Sequence, residues 1–316
     1  MSYIVKLLLA ILLLLAFSAS PAIAQSSSSL ITAELPWWGW ALLLFVFTLF
    51  LGVIAVIGGV GGGVLFVPIV SAVFPFHFDF IRGAGLLVAL CGALSAAPYL
   101  LRTGLASMRL GLPMALFGSV GSIIGAAIGL SLPIGIVETL LGVTILGIVV
   151  IMVSASRSDF PVIEKPDPLG AMFGIRGSYL DKSLGTTVEW RVHRTALALM
   201  SYVLIGVLGG MFGLGAGWAN VPALNLLLGA PIKVAVATSG FIMTLNSTAA
   251  TWVYVNNAAI LPLIAAPSIA GMMIGTRIGA RVLPQVRARS IRWVVIGLMV
   301  LTGLRSLVAG IIEVVG

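Results

Sequence analysis

Residues 58–68 read GGVGGGVLFVP, five glycines and a proline in the most apolar part of the chain. Residues 213–222 read GLGAGWANVP. At an offset of 154 positions, Gly59, Gly61, Gly63, Val67 and Pro68 fall on Gly213, Gly215, Gly217, Val221 and Pro222. With no gap, the same offset carries Pro113 onto Pro267, Gly121 onto Gly275 and Gly125 onto Gly279. The chain therefore reads as a duplicated four-span unit with one glycine-rich break in each copy.

The surroundings of both stretches are those of a membrane protein, since 60% of the 316 residues are hydrophobic and only 8% are charged. Length is then best divided by the roughly 20 residues that cross a bilayer. A formal net charge of +8 would point to nucleic acid in a soluble chain. Here the Lys and Arg residues lie mostly in short loops, where they set orientation and meet lipid head groups, so lipid and not nucleic acid is the expected partner. Cys91 is the single cysteine, which rules out an intrachain disulfide and a cysteine-based metal cluster.

Residues 1–24 have the form of a secretory signal peptide: Lys6, an apolar core from Leu7 to Phe17, and Ala22-Ile23-Ala24 before Gln25. Cleavage after Ala24 puts the mature amino terminus outside the cytoplasm, and the expected location is a bacterial inner membrane. Residues 25–36 are a Ser-rich linker. Charge-free stretches mark eight spans: Trp37 to Ile57, Gly83 to Leu101, Leu110 to Leu132, Ile134 to Val153, Ala196 to Gly215, Val234 to Val255, Ile260 to Thr276 and Trp293 to Ile312. Trp37, Trp38 and Trp40 suit an interfacial aromatic belt. Arg277, Arg281, Arg287, Arg289 and Arg292 read as a cytoplasmic loop. Eight crossings from an outside amino terminus also place the carboxyl terminus, Arg102 and Arg109 outside, the last two against the charge trend. Residues 37–153 form the first membrane repeat and 195–316 the second. The polar segment 154–194 between them holds FGIRGSYLDKSLGTTVEWRVH, which alternates around Asp181-Lys182-Ser183-Leu184-Gly185 and is expected to form a β-hairpin on the outer face, as a connector or a docking element. The fold class is an all-α polytopic membrane protein with two repeated four-span units, re-entrant half-helices and this small extramembrane hairpin.

The breaks have a specific physical meaning. In hydrocarbon an unpaired backbone group costs several kcal/mol, so interrupted helix is tolerated only where protein or a water-filled cavity covers it. Glycine lets backbone N–H groups approach a solute, and Pro68 and Pro222 are expected to open short helices whose preceding amides point inward. Such a helix terminus favours an anion. Val64 to Phe74 and Trp218 to Leu228 are apolar but too short to cross a bilayer about 30 Å thick, so both read as re-entrant half-helices meeting near the midplane. Gly118, Gly121, Gly125 and Ala126, and Gly271, Gly275 and Gly279, are spaced for close helix packing instead.

Asn220, Asn225, Thr238, Ser239, Thr244, Asn246, Ser247 and Thr248 crowd a region with no charge between Lys233 and Arg277. Neutral donors of this kind hold an oxyanion without trapping it. The first copy has Gly83-Ala84-Gly85 where the second has Ala237-Thr238-Ser239, so the second carries more side-chain recognition. The expected solute-binding residues are Gly59, Gly61, Gly63, Pro68, Gly213, Gly215, Gly217, Asn220, Pro222, Thr238, Ser239 and Asn246. Arg82 and Lys233 are candidate cations at the entrance, with positive-inside anchoring as the alternative. Asp79 and Glu138 are candidates for proton coupling or simply interfacial, and Arg305 lies inside the last span.

With these residues in view, the chain resembles the TauE/SafE family, the sulfite exporter or toluene-sulfonate uptake group, from Trp37 to its end. The resemblance rests on GVGGGVLFVP and GLGAGWANVP, on Ala237-Thr238-Ser239, on the Gly-spaced third span of each half, and on GIRGSYLDKSLGTTVEWRVHR. It departs at Ala216, which replaces a glycine, and at Gly83-Ala84-Gly85. What the resemblance implies is a secondary carrier of small sulfur-containing anions such as sulfite, sulfoacetate or another sulfonate, often an exporter. No cofactor is expected, and a homo-oligomer is left open. No G-x-x-x-x-G-K-[ST] loop occurs, so a built-in ATPase is excluded. The chain is not read as an enzyme, because His77 and His193 lie in loops without a matching serine motif. A cation or metal permease would need acidic, His or Cys ligands that the spans nearly lack. A non-transporting membrane partner of an enzyme complex is the remaining alternative.

Overall fold

The computed structural model describes residues 36–58, 61–102, 105–154, 167–181, 186–282 and 288–315. The expected signal peptide and nearly all of the linker lie outside the described residues, as do Gly59, Arg287 and the turn at 182–185. The chain is predominantly helical: α1 (Trp37–Gly58), α2 (Gly62–Val73), α3 (Phe78–Arg102), α4 (Met108–Ser131), α5 (Ile134–Ser154), α6 (Pro168–Met172), β1 (Arg176–Asp181), β2 (Thr186–Arg191), α7 (Thr195–Met211), α8 (Gly217–Pro222) with a π-turn (Ala223–Leu227), α9 (Ile232–Asn256), α10 (Pro262–Val282) and α11 (Ala288–Val315).

All eight expected spans are helices. Five of them, α1, α3, α4, α5 and α11, are long and apolar enough to cross a membrane. The other three fall short for visible reasons. α7 has 17 residues, whereas α9 and α10 have 25 and 21 but carry the polar crowd and Arg277 with Arg281. A tight turn at Pro133 separates α4 from α5, with Leu132 N–H closing α4 on the Ile128 carbonyl at 3.1 Å.

The expected hairpin is present. β1 and β2 pair antiparallel from Arg176↔Arg191 to Asp181↔Thr186. Alternation gives it two faces: Trp190 is buried in the main core with Ile175 and Val192, while Arg176, Ser178, Glu189 and Arg191 are exposed. Asp167 fastens this module to the bundle. Its carboxylate accepts from Gly170 N at 3.2 Å, capping α6, and from Thr195 N and Thr195 Oγ1, each at 2.9 Å, at the start of α7.

The principal helix interfaces join one half of the chain to the other: α1 with α10, α4 with α7 and α9, α5 with α11, and α3 with α9 and α10. The Gly-spaced faces do pack, as their spacing predicts. Gly121 and Gly125 meet the carbonyls of Val203 and Val207, and Gly275 and Gly279 meet those of Leu49 and Val53. Gly206 lies on Gly118 and Ser122, and Gly52 on Met272 and Thr276. Every one of these pairs maps onto its mate by adding or subtracting 154.

The contacts also fix helix directions. Gly271, Gly275 and Gly279 meet Phe45, Leu49 and Val53 in ascending order, so α10 runs parallel to α1. Gly83 lies by Ala259 and Gly92 by Met272, so α3 shares that direction. Gly121, Gly125 and Gly129 meet Val203, Val207 and Met211, so α7 runs with α4 and therefore against α1. Between α1 and α3 the chain returns to its starting end through α2: Phe74 lies 6.0 Å from the Trp40 ring and Phe76 lies 5.9 Å from it. In the second half His193 N–H donates to the Leu228 carbonyl at 3.2 Å, bringing the end of the π-turn back to the start of α7. Leu228 is the 154-offset counterpart of Phe74.

These directions sort the charges. Arg102, Arg109, Arg176, Arg191, Arg194, Lys233, Arg277, Arg281, Arg289 and Arg292 belong to one end of the bundle. Asp167 and Glu189 share that end with the hairpin module, and Asp79, Arg82, Glu138 and Glu313 belong to the other.

Candidate functional site

The two breaks meet inside the bundle. Gly61 precedes α2 with φ 85° and ψ 147°, and Gly215 precedes α8 with φ 66°; both conformations favour glycine. A β-carbon on Gly61 would stand 3.7 Å from Gly217 Cα and 3.6 Å from Met243 Sδ. One on Gly63 would collide with the Leu214 carbonyl. One on Gly215 would stand 3.0 Å from Ala89 Cβ and 3.2 Å from Ser247 Oγ. The structure thus brings Gly61, Gly63, Gly215 and Gly217 together, against a small buried cluster of Ala89, Ala93 and Met243.

Each helix beginning here leaves its first N–H groups without an intrahelical carbonyl. On α2 the cap residue, Gly61, makes no side-chain capping bond to them. On α8 the Ala216 carbonyl takes Ala219 N–H at 3.2 Å and Asn220 N–H at 3.1 Å. The prolines do not open these helices. Pro68 lies inside α2 and Pro222 at the end of α8, each past the first turn, because the glycines already start the helix. Pro222 lacks the N–H that would close on Trp218, and the wider π-turn follows directly.

The polar side chains divide. Asn220 is fully buried; its Nδ2 donates to the Ser239 carbonyl at 3.2 Å, its own carbonyl accepts from Tyr202 OH at 3.3 Å, and its Oδ1 has no protein partner. Asn246 Oδ1 accepts from Ser119 Oγ at 3.3 Å while its Nδ2 has no protein partner. Thr238 Oγ1 accepts from Ser107 N at 3.1 Å, and Ser239 Oγ donates to the Val236 carbonyl at 2.8 Å. Ser239 Oγ thus serves its own helix, whereas Thr238 supports the start of α4 through its oxygen and keeps its O–H proton.

Arg82 and Lys233 have opposite surroundings. Lys233 is exposed at the start of α9. Arg82 is 1% exposed. Its Nη1 donates to the Met211 carbonyl at 2.9 Å and its Nη2 to the Gly129 carbonyl at 3.1 Å and to Asp79. The guanidinium lies 5.1 Å from the Phe78 ring centre and 5.8 Å from that of Tyr254, and Tyr254 OH donates to the Gly210 and Met211 carbonyls at 3.2 Å. This is a cation closing the carbonyl ends of α4 and α7, a tie between the halves at the acidic end. Reading along the sequence names Ser247 only within the polar crowd and misses the wall formed by Ala89 and Met243. The signal was present in the offset of 154, which sets Met243 on Ala89 and Ser247 on Ala93.

A multi-helix membrane body with two facing interruptions defines a membrane transporter. The chain belongs to the sulfite exporter TauE/SafE family, whose profile matches residues 44–306. It is similar to the "Probable membrane transporter protein YunE" of Bacillus subtilis (strain 168), with 27% identity over 277 residues, covering 85% of this chain and 98% of that protein. No solved structure matches the chain.

Proposed function

We propose that the protein is a secondary carrier of a small sulfur-containing oxyanion, such as sulfite, sulfoacetate or another sulfonate, and that it binds this solute where the two breaks meet. The observation that carries the reading is the close approach of Gly61 to Gly217 and of Gly63 to Leu214: two helix starts, from separate halves, meet at one small volume, and the first amides of a helix have no carbonyl of their own helix to bond. Ala89 and Met243 each lie eleven residues past the starts of α3 and α9, about 16 Å along helices at 1.5 Å per residue. That depth supports a position near the middle of a bilayer.

The reciprocal glycine contacts support a duplicated unit, and the opposed directions of α1 and α7 support an inverted repeat. On this reading α1–α2 and α7–α8 are re-entrant pairs, each leaving and returning to one end. Three net crossings per half remain. Arg102 and Arg109 then join the Arg-rich loop between α10 and α11, and the positive-inside rule places this end in the cytoplasm. The hairpin goes with it, to the inner rather than the outer face. Trp37 and both membrane-body termini face outward.

Export is the favoured direction energetically. A potential negative inside favours outward movement of one negative charge by about 2.3 kcal/mol per 100 mV, roughly a fifty-fold concentration ratio at about 1.4 kcal/mol per decade. The test is radiolabelled sulfite flux in liposomes with an imposed potential. Flux above empty vesicles that follows the sign of the potential is expected. Absence of flux for sulfite, sulfoacetate and related anions would overturn the reading.

A further inference from the structure

Hydroxyls inside membrane helices ordinarily close on the carbonyl four residues upstream. Thr48, Ser95, Thr139, Thr248, Thr276 and Thr302 all do so here, at 2.7–2.9 Å. Ser247 and Thr251 do not. Both are on α9, both are at least nine-tenths buried, and neither hydroxyl has a hydrogen-bond partner in the protein. A buried hydroxyl left unpaired costs about 1–3 kcal/mol, and in each case the upstream carbonyl is a standard helical acceptor within reach of a rotation about one bond. Ser268 on α10 is a third such hydroxyl, and what sets Ser247 and Thr251 apart is their shared place on α9, the helix that borders the breaks.

Ser247 Oγ lies 3.2 Å from the position a β-carbon would take on Gly215, so it borders the junction of the breaks. Met243, Ser247 and Thr251 recur every four residues and share one helix face. Met243 touches Gly61, and Thr251 is one turn nearer Tyr254, which lies on Arg82. The 154-offset counterparts of Ser247 and Thr251 are Ala93 and Ala97, which offer no hydroxyl. Ala93 lies in the small buried cluster beside the junction.

We infer that Ser247 and Thr251 are solute-contacting residues, a hydroxyl ladder from the junction toward the acidic end, with Ser247 donating to an oxyanion held at the breaks. The inference rests on the carrier reading above. It makes the path chemically one-sided: hydroxyl-lined in the arm built on α9, and apolar in the arm built on α3.

The experiment compares the full-length protein with Ser247→Ala and Thr251→Ala in liposomes, measuring sulfite flux against sulfite concentration and thermal unfolding of each purified variant. Neither change removes a protein hydrogen bond, so the unfolding midpoint should hold. The KM for sulfite should rise about tenfold in Ser247→Ala, the loss of one hydrogen bond to a charged group, and about threefold in Thr251→Ala. Ser247→Thr keeps the hydroxyl and should recover most of the loss. An unchanged KM in Ser247→Ala, alongside active unsubstituted protein, would overturn the inference and leave the carrier reading intact. A lowered unfolding midpoint with unchanged KM would assign Ser247 a framework role and also overturn it. Absence of sulfite flux in the unsubstituted protein would instead remove the carrier reading for sulfite, and this inference with it.

Discussion

The two breaks have the same backbone and different chemistry. Each has a glycine at positive φ, Gly61 or Gly215, followed by a helical segment too short to span and a return to the beginning of the preceding helix. Where the first half has Phe66 and Ala93, the second has Asn220 and Ser247. A framework can thus be duplicated for its shape while the polar side chains differ between the copies. The bundle ends differ in the same manner. At one end Arg82 ties α3 to the carbonyl ends of α4 and α7, whereas its offset counterpart, Val236, is an exposed apolar residue.

The largest expected effect tests what the breaks share. Gly215→Leu forces a side chain onto a positive φ and against Ala89 and Ser247, and should abolish sulfite flux while the protein still inserts; unchanged flux would leave only close packing as the role of this glycine. Next come the ends. Arg82→Ala strands Asp79 and two carbonyls, and should lower stability by about 3–5 kcal/mol, whereas exposed Lys233→Ala should change it by less than about 1 kcal/mol. Unfolding of both variants in the same detergent checks the contrast, and equal midpoints would erase it. Asn220→Leu removes one hydrogen bond but also the unpaired Oδ1. It should leave stability within about 1 kcal/mol while raising the sulfite KM if Oδ1 faces the path, which the same concentration series reads. The smallest effect is expected of Ala93→Ser. Its hydroxyl can close on the carbonyl of Ala89, so flux should stay within about twofold.

Much of this was legible in the residues. Five glycines before Pro68 and their partners before Pro222 were enough to expect two breaks, and alternation around residues 181–185 was enough for the hairpin. The prolines were misread as helix openers because a proline at a first turn and a proline past it look alike without the glycine dihedrals. The topology turns on α2. Composition shows that twelve apolar residues do not span, but only the contacts of Phe74 and Phe76 with Trp40 show which end they return to. Thr238 and Ser239 looked like binding groups since a hydroxyl in a polar crowd carries no mark of whether a backbone group has claimed it. Ser239 Oγ donates to the Val236 carbonyl, while Thr238 Oγ1 accepts from Ser107 N. Arg82 was indistinguishable from a loop anchor because its partners are carbonyls of Gly129 and Met211, remote in sequence and invisible in composition.

The central claim is that an anion sits between the two helix starts. An experimental structure of the full chain in lipid, determined with sulfite, tests it most directly. The account predicts density for the anion within hydrogen-bonding distance of the amides that follow Gly61 and Ala216, with Ser247 Oγ turned toward it. Sulfite bound elsewhere, or Gly61 and Gly215 facing lipid on continuous helices, would contradict it.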